Sequence, residues 1–135
     1  MPSNSETIIS IQAHVGDSTV QTHTGTKYKG DGYYGRSDGF HSVQVDLNGF
    51  IGKVAMQGTL ATNPVEADWF TVELGTGNSS VDTTGLITAQ NITSVEYTSA
   101  TTNTKNYNFT GNYVWVRAYV SNWTDGTVNS IRLNH

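Results

Sequence analysis

From position 113 to 120 the chain alternates two kinds of side chain, Tyr-Val-Trp-Val-Arg-Ala-Tyr-Val. Successive strand residues point to opposite faces, so Val114, Val116, Ala118 and Val120 share one side and Tyr113, Trp115, Arg117 and Tyr119 the other. A helix, with its period of about 3.6 residues, would scatter both sets around its axis. The run reaches Asp125-Gly126 and the alternation resumes over 127–133, which predicts a hairpin. Residues 40–47 repeat the theme, with Val43, Val45 and Leu47 on one face and Ser42, Gln44 and Asp46 on the other. Asn48-Gly49 follows at once, a dipeptide that takes two positive φ values cheaply and so predicts a second hairpin. Residues 50–60 would be its return strand. Gly52 and Gly58 interrupt that strand and predict a bulge or a close backbone approach.

Shorter segments fill the rest. Ile8, Ile9 and Ile11 make 7–15 a first strand ending at Gly16-Asp17-Ser18, and 19–23 a second. Residues 24–39 carry Gly25, Gly30, Gly32, Gly35 and Gly39 with Tyr28, Tyr33 and Tyr34 between them. This reads as one long Gly/Tyr-rich loop, and loops of that length either serve a function or hide a short strand. A surface loop spans 61–68, where Pro64 cannot continue a strand. In 69–74, Phe70, Val72 and Leu74 face one way and Trp69, Thr71 and Glu73 the other. The chain is then polar as far as Leu86-Ile87; 92–99 offers Val95 and Tyr97, and 98–106 reads as a Thr/Asn-rich loop before Tyr107-Asn-Phe109.

About eight to ten short strands and no helical window predict an all-β fold. Strands with one aliphatic side must cover it, each buried Val, Leu, Ile or Phe contributing roughly 1.5–3 kcal/mol. The expected architecture is therefore a two-sheet antiparallel β-sandwich, jelly-roll-like, with 1–135 as a single domain.

Composition narrows the chemistry. Hydrophobic residues make up 36% and charged residues 13% of the 135, so Thr, Asn, Ser and Gly dominate the surface. A net charge of −4 with only seven Lys plus Arg argues against nucleic acid as a partner. The absence of cysteine excludes disulfides and thiolate chemistry. No apolar run reaches the roughly 18–20 residues of a membrane helix, and Met1-Pro-Ser-Asn-Ser-Glu6 lacks the basic start and apolar middle of a signal peptide. Synthesis in a cytoplasm without membrane insertion is expected. Asn78, Asn91, Asn108 and Asn122 head glycosylation acceptor triplets, which chance alone supplies in a chain this rich in Asn and Thr.

The sharpest candidate surface is Tyr113, Trp115, Arg117 and Tyr119. Flat rings on a rigid strand can stack on a sugar or anchor a protein, with Arg117 orienting the partner. The alternative is that the rings are covered in a central strand, with Arg117 reaching outward. Trp123, within the turn formers Asn122-Trp-Thr-Asp-Gly126, is expected to be exposed, and Tyr33 and Tyr34 in the long loop join the candidates. Asp31 and Asp38 in that loop suggest calcium, but Asx turns explain Asp-Gly pairs without an ion, and the four His residues show no ligand spacing. Neither metal nor cofactor is expected. Glu66, Asp68 and Glu73 flank Trp69 as a glycosidase pair would, yet carboxylates this close in a loop are ordinarily solvated. No nucleophile elbow, phosphate-binding glycine motif or His-Glu-x-x-His is present. Enzymatic activity is not expected.

Asn108-Phe-Thr-Gly-Asn-Tyr-Val-Trp-Val-Arg-Ala-Tyr-Val120, closing with Asp125-Gly-Thr-Val128 and Ile131-Arg-Leu-Asn-His135, resembles the C-terminal end of small virion structural proteins of tailed bacteriophages, cyanophages especially. Gly58-Thr-Leu-Ala-Thr62 and Asp68-Trp-Phe-Thr-Val72 add to the likeness, which spans roughly Ser42 onward and leaves the first forty residues uncovered. It implies a β-sandwich on a phage particle, decorating the capsid or belonging to neck or tail. Other virion proteins and further copies of the chain would be its partners. It transfers no functional residue, because such proteins share architecture and not an active site. A carbohydrate-binding module for host attachment, stacking a glycan on Trp115, Tyr119 or Trp123, is the alternative.

Overall fold

A computed structural model describes residues 5–135 apart from 18, 36–38, 82 and 86, with the side chains of 76–81 and 87–91 left aside. The strands in chain order are β1 (Glu6–Ile9), β2 (Gln12–Ala13), β3 (Gln21–Thr24), β4 (Tyr28–Lys29), β5 (Phe40–Thr59), β6 (Phe70–Thr71), β7 (Leu74–Val81), β8 (Ile87–Ile92), β9 (Val95–Thr110) and β10 (Trp115–Asn134). Among the described residues there is no α-helix, only a 3-10 turn at Glu66–Asp68. The fold is all-β, as the alternation predicts.

All ten strands join one antiparallel sheet in the order β1-β10-β5-β9-β7-β8, which curls upon its own aliphatic face. Short β2, β3 and β4 follow β1 along the same side of β10, and β6 pairs with β5. The long strands β5 and β10 form the spine, in register from Trp115↔Thr59 to Asn134↔Ser42.

Neither predicted hairpin exists. Asn48-Gly49 lies inside β5 and Asp125-Gly126 inside β10, and both strands run on through them. The positive φ that would have closed a turn, 64° at Gly49 and 85° at Gly126, instead accommodates irregular register, with shifts between Leu47 and Phe50 and again between Asp125 and Thr127. The two sites face each other, since Thr127 pairs with Asn48 and Asp125 with Ile51. They approach so closely that a Cβ on Gly126 would stand 2.1 Å from the Gly49 carbonyl oxygen.

An extra residue at a bulge also exchanges the faces of a strand. In β5 the buried positions are odd at Val43, Val45 and Leu47 and even at Phe50, Val54 and Met56. In β10 they pass from Val116, Ala118 and Val120 through Trp123 and Val128 to Ile131 and Leu133. The same aliphatic side therefore faces inward at both ends of a bent strand, and these residues share one core cluster with Val72, Leu74, Val95 and Phe109.

Three further expectations change. The Thr/Asn-rich stretch 98–106 is not a loop but the middle of β9, paired along β5 from Phe50↔Thr101 to Asn106↔Gln44. Thr suits strands, and its hydroxyls tie the outer face: Thr102 Oγ1 donates to Asn48 Oδ1 (3.2 Å) and Thr104 Oγ1 to Asp46 Oδ1 (3.3 Å). The polar stretch after Gly75 is the β7–β8 hairpin, paired from Leu74↔Ile92 to Val81↔Ile87. Phe70 does not share the core side with Val72 and Leu74; β6 is two residues long, the alternation resets beyond it, and Phe70 stays 42% exposed. The long 24–39 loop does hide a short strand, β4.

Candidate functional site

Two aromatic surfaces emerge, and the predicted residues divide between them, apart from Trp123, which is buried in the core. On the outer face of β10, Arg117 is only 6% exposed. Its Nε donates to Gln57 Oε1 at 2.7 Å, and its two terminal nitrogens donate to both oxygens of Glu66, at 3.2 and 2.6 Å. The guanidinium lies 4.2 Å from the centre of the Trp69 ring. Residues 60–69 thus fold over the sheet and are clasped there by a bidentate pair and a cation–π contact. Hydrogen bonding to Arg117 holds the Glu66 carboxyl below the usual glutamate range. That environment favours the carboxylate, the reverse of what a general acid needs. Asp68 accepts a hydrogen bond from the Val65 N–H at 2.8 Å.

Trp115 belongs to the same cladding. Its Nε1 donates to the Thr62 carbonyl at 2.9 Å, its ring meets Tyr33 at 5.1 Å, and Lys27 Nζ lies 4.5 Å from its centre. Tyr119 is half-buried between its pairing partners Ala55 and Thr24. Tyr34 stacks on His135 at 5.7 Å, and His135 Nδ1 is 3.0 Å from the carboxylate of Asp31, itself buried. The Gly/Tyr-rich loop is in this way pinned to the end of β10. Asp38, the other acid considered for calcium, lies outside the described residues.

Trp123 contradicts the expected exposure. It is 3% exposed, its ring tilted against Phe50 at 6.2 Å and its Nε1 donating to the carbonyls of Asp125 (3.1 Å) and Gly126 (3.2 Å). The turn formers around it make bulges, with Asn122 at φ 48°, and the irregular register between Val120 and Trp123 delivers the indole to the core.

Tyr113 parts from the stripe because β10 begins only at Trp115. Its ring passes over Gly58, where a Cβ would be 2.9 Å from Cγ, and packs near Phe70 (5.6 Å), Phe109 (6.2 Å) and His41 (6.4 Å). The close approach predicted at Gly58 is therefore to a ring. Burial, aided by the charge of Glu73, raises the Tyr113 phenol above its ordinary value.

Beside Tyr113 opens a groove of about 670 Å³. It lies where residues 71–75 cross from β5, paired at Gln57↔Thr71, to β9, paired at Gly75↔Asn108. Phe40 stands on its wall with 67% of its surface exposed, and Ser42, Thr71, Glu73, Asn108 and Thr110 line it with polar groups. Ser42 Oγ donates to Asn108 Oδ1 at 2.8 Å, and His41 stacks flat on Phe109 at 4.6 Å beneath. Sequence reasoning singled out Tyr113 and Glu73 but did not bring them together with Phe40, Ser42 and Asn108. Phe40 reads there as the start of a strand, and only the sheet's curl brings Glu73 near it.

No protein-family model, no curated protein and no solved structure matches the chain.

Proposed function

We propose that the protein is a non-enzymatic structural component of a tailed-phage virion, a capsid decoration or a neck or tail accessory, acting through contacts with other virion proteins and with copies of itself. The likeness of 108–135 to such proteins supports it, as does a curled sheet that we read as a jelly-roll-like sandwich. The observation that carries it is the N-terminal edge. There β1 to β4 pair with β10 and, among the described residues, with no further strand, while Ile11 (68%), Val15 (68%) and Val20 (64%) stand exposed. Apolar side chains beside unpaired strand edges favour association. Light scattering should find an oligomer at high concentration, reduced to monomer by Ile11→Asp with Val20→Asp, and mass spectrometry of purified particles should find the chain. A strictly monomeric protein absent from particles would overturn the proposal.

A further inference from the structure

We infer that the groove between Phe40 and Glu73 is a saccharide-binding site for neutral or amine-bearing sugars, independent of any contact the protein makes in a particle. Sugars are recognised by an exposed ring that covers their C–H face and by fixed hydroxyl, amide and carboxylate groups that meet their hydroxyls. Phe40 supplies the ring, and most of its surface is open to a ligand. Ser42, Thr71, Glu73, Asn108 and Thr110 supply the polar groups within one concavity, of a volume ordinary for small-molecule sites. The Ser42 hydrogen bond fixes the Asn108 amide by its oxygen, so that the amide meets a ligand as a donor.

The wall is rigid where it matters. Ser42 and Asn108 are directly paired residues of β5 and β9, Phe40 pairs with Thr110, and His41 and Phe109 are stacked below them in the core. Sites carried on paired strands bind with less ordering cost than sites on free loops.

Charge decides the class of sugar. Glu73 is the carboxylate of the groove, its field is felt by the Tyr113 phenol, and neither Lys nor Arg is among the described lining residues. An anionic ligand such as a uronate or a phosphate would meet repulsion, whereas an amino sugar would gain a charge-assisted hydrogen bond. The stripe on β10 is no rival platform, because Trp115 and Arg117 are engaged by the protein's own loops.

The test is a nuclear magnetic resonance titration of the full chain with glucose, galactose, glucosamine and galacturonate. Saturable shifts at the amides of Ser42, Thr71, Glu73, Asn108 and Thr110 are expected, with a Kd of about 1–10 mM for at least one neutral or amino sugar and none for galacturonate. Phe40→Ala should weaken binding about tenfold with the spectrum otherwise preserved. Glu73→Gln should remove any preference for glucosamine over glucose. Absence of saturable shifts with the three non-acidic sugars, shifts centred on Trp115, or unchanged affinity in Phe40→Ala would each overturn the inference. None of these outcomes bears on oligomerisation, so failure here leaves the particle proposal to its own test.

Discussion

The outer face of β10 and the groove at the start of β5 are built from the same kinds of residue and behave oppositely. On β10 every strong group is engaged: Arg117 by Glu66, Gln57 and Trp69, Trp115 by Thr62, Tyr33 and Lys27. At the groove, Phe40 stands exposed with polar groups around it. An aromatic, cationic stripe can thus be an adhesive for the protein's own loops, while a lone phenylalanine at a strand end is the better placed to meet a ligand.

Breaking the first region should have the largest effect. Arg117→Ala removes the clasp and the packing of its buried side chain on Trp69, while the Glu66 end of the pair is largely exposed, so urea unfolding should show a loss of about 1–2 kcal/mol. A loss below about 0.5 kcal/mol would mean the clasp is ornamental. Acid should undo part of the same clasp. Because Arg117 depresses the folded-state pKa of Glu66, its contribution is complete above the usual value near 4.5 and disappears as pH falls through the lower folded value. The stabilities of wild type and Glu66→Gln should accordingly differ near neutrality and converge in acid. A constant gap across that range would show that the ion pair is not the cause.

The second region is sharpened by smaller changes. Glu73→Gln should lower the phenol pKa of Tyr113 part of the way toward its ordinary value, read by ultraviolet titration, since burial, the larger cause, remains. No movement would place the carboxylate too far away to shape the groove. Phe40→Ala should alter unfolding stability by no more than about 0.5 kcal/mol, the result for a ring that packs on little. A greater loss would make Phe40 a core residue and not a platform.

What the sequence revealed was the faces. Val43, Val45, Leu47, Val116, Ala118 and Val120 are buried as the alternation predicts, because side-chain period depends only on local backbone geometry. Strand ends were hidden. Asn48-Gly49 and Asp125-Gly126 carry the chemistry of turns, but a glycine at positive φ serves a bulge as readily as a hairpin, and which results depends on the partner strand. Trp123 went inward for the same reason. The 98–106 segment shows the converse error: Thr and Asn read as loop, yet Thr102, Thr104 and Asn106 line the outer side of a paired strand while Asn103 turns to the other side. Of the candidate site, Trp115 and Arg117 were visible as a stripe, whereas the Arg117–Glu66 contact, across 51 residues of sequence, was not.

The central place of β10 has a bearing on how the chain is born. Strands β1 to β4 find their hydrogen-bonded neighbour in β10, and β5 finds its longest one there, so the first hundred residues emerge from a ribosome before the strand they await has been synthesised. Until then Ile8 and Ile9 lack the strand they pair with, and long-range pairing of this kind is slow and leaves apolar surface open to aggregation in the meantime.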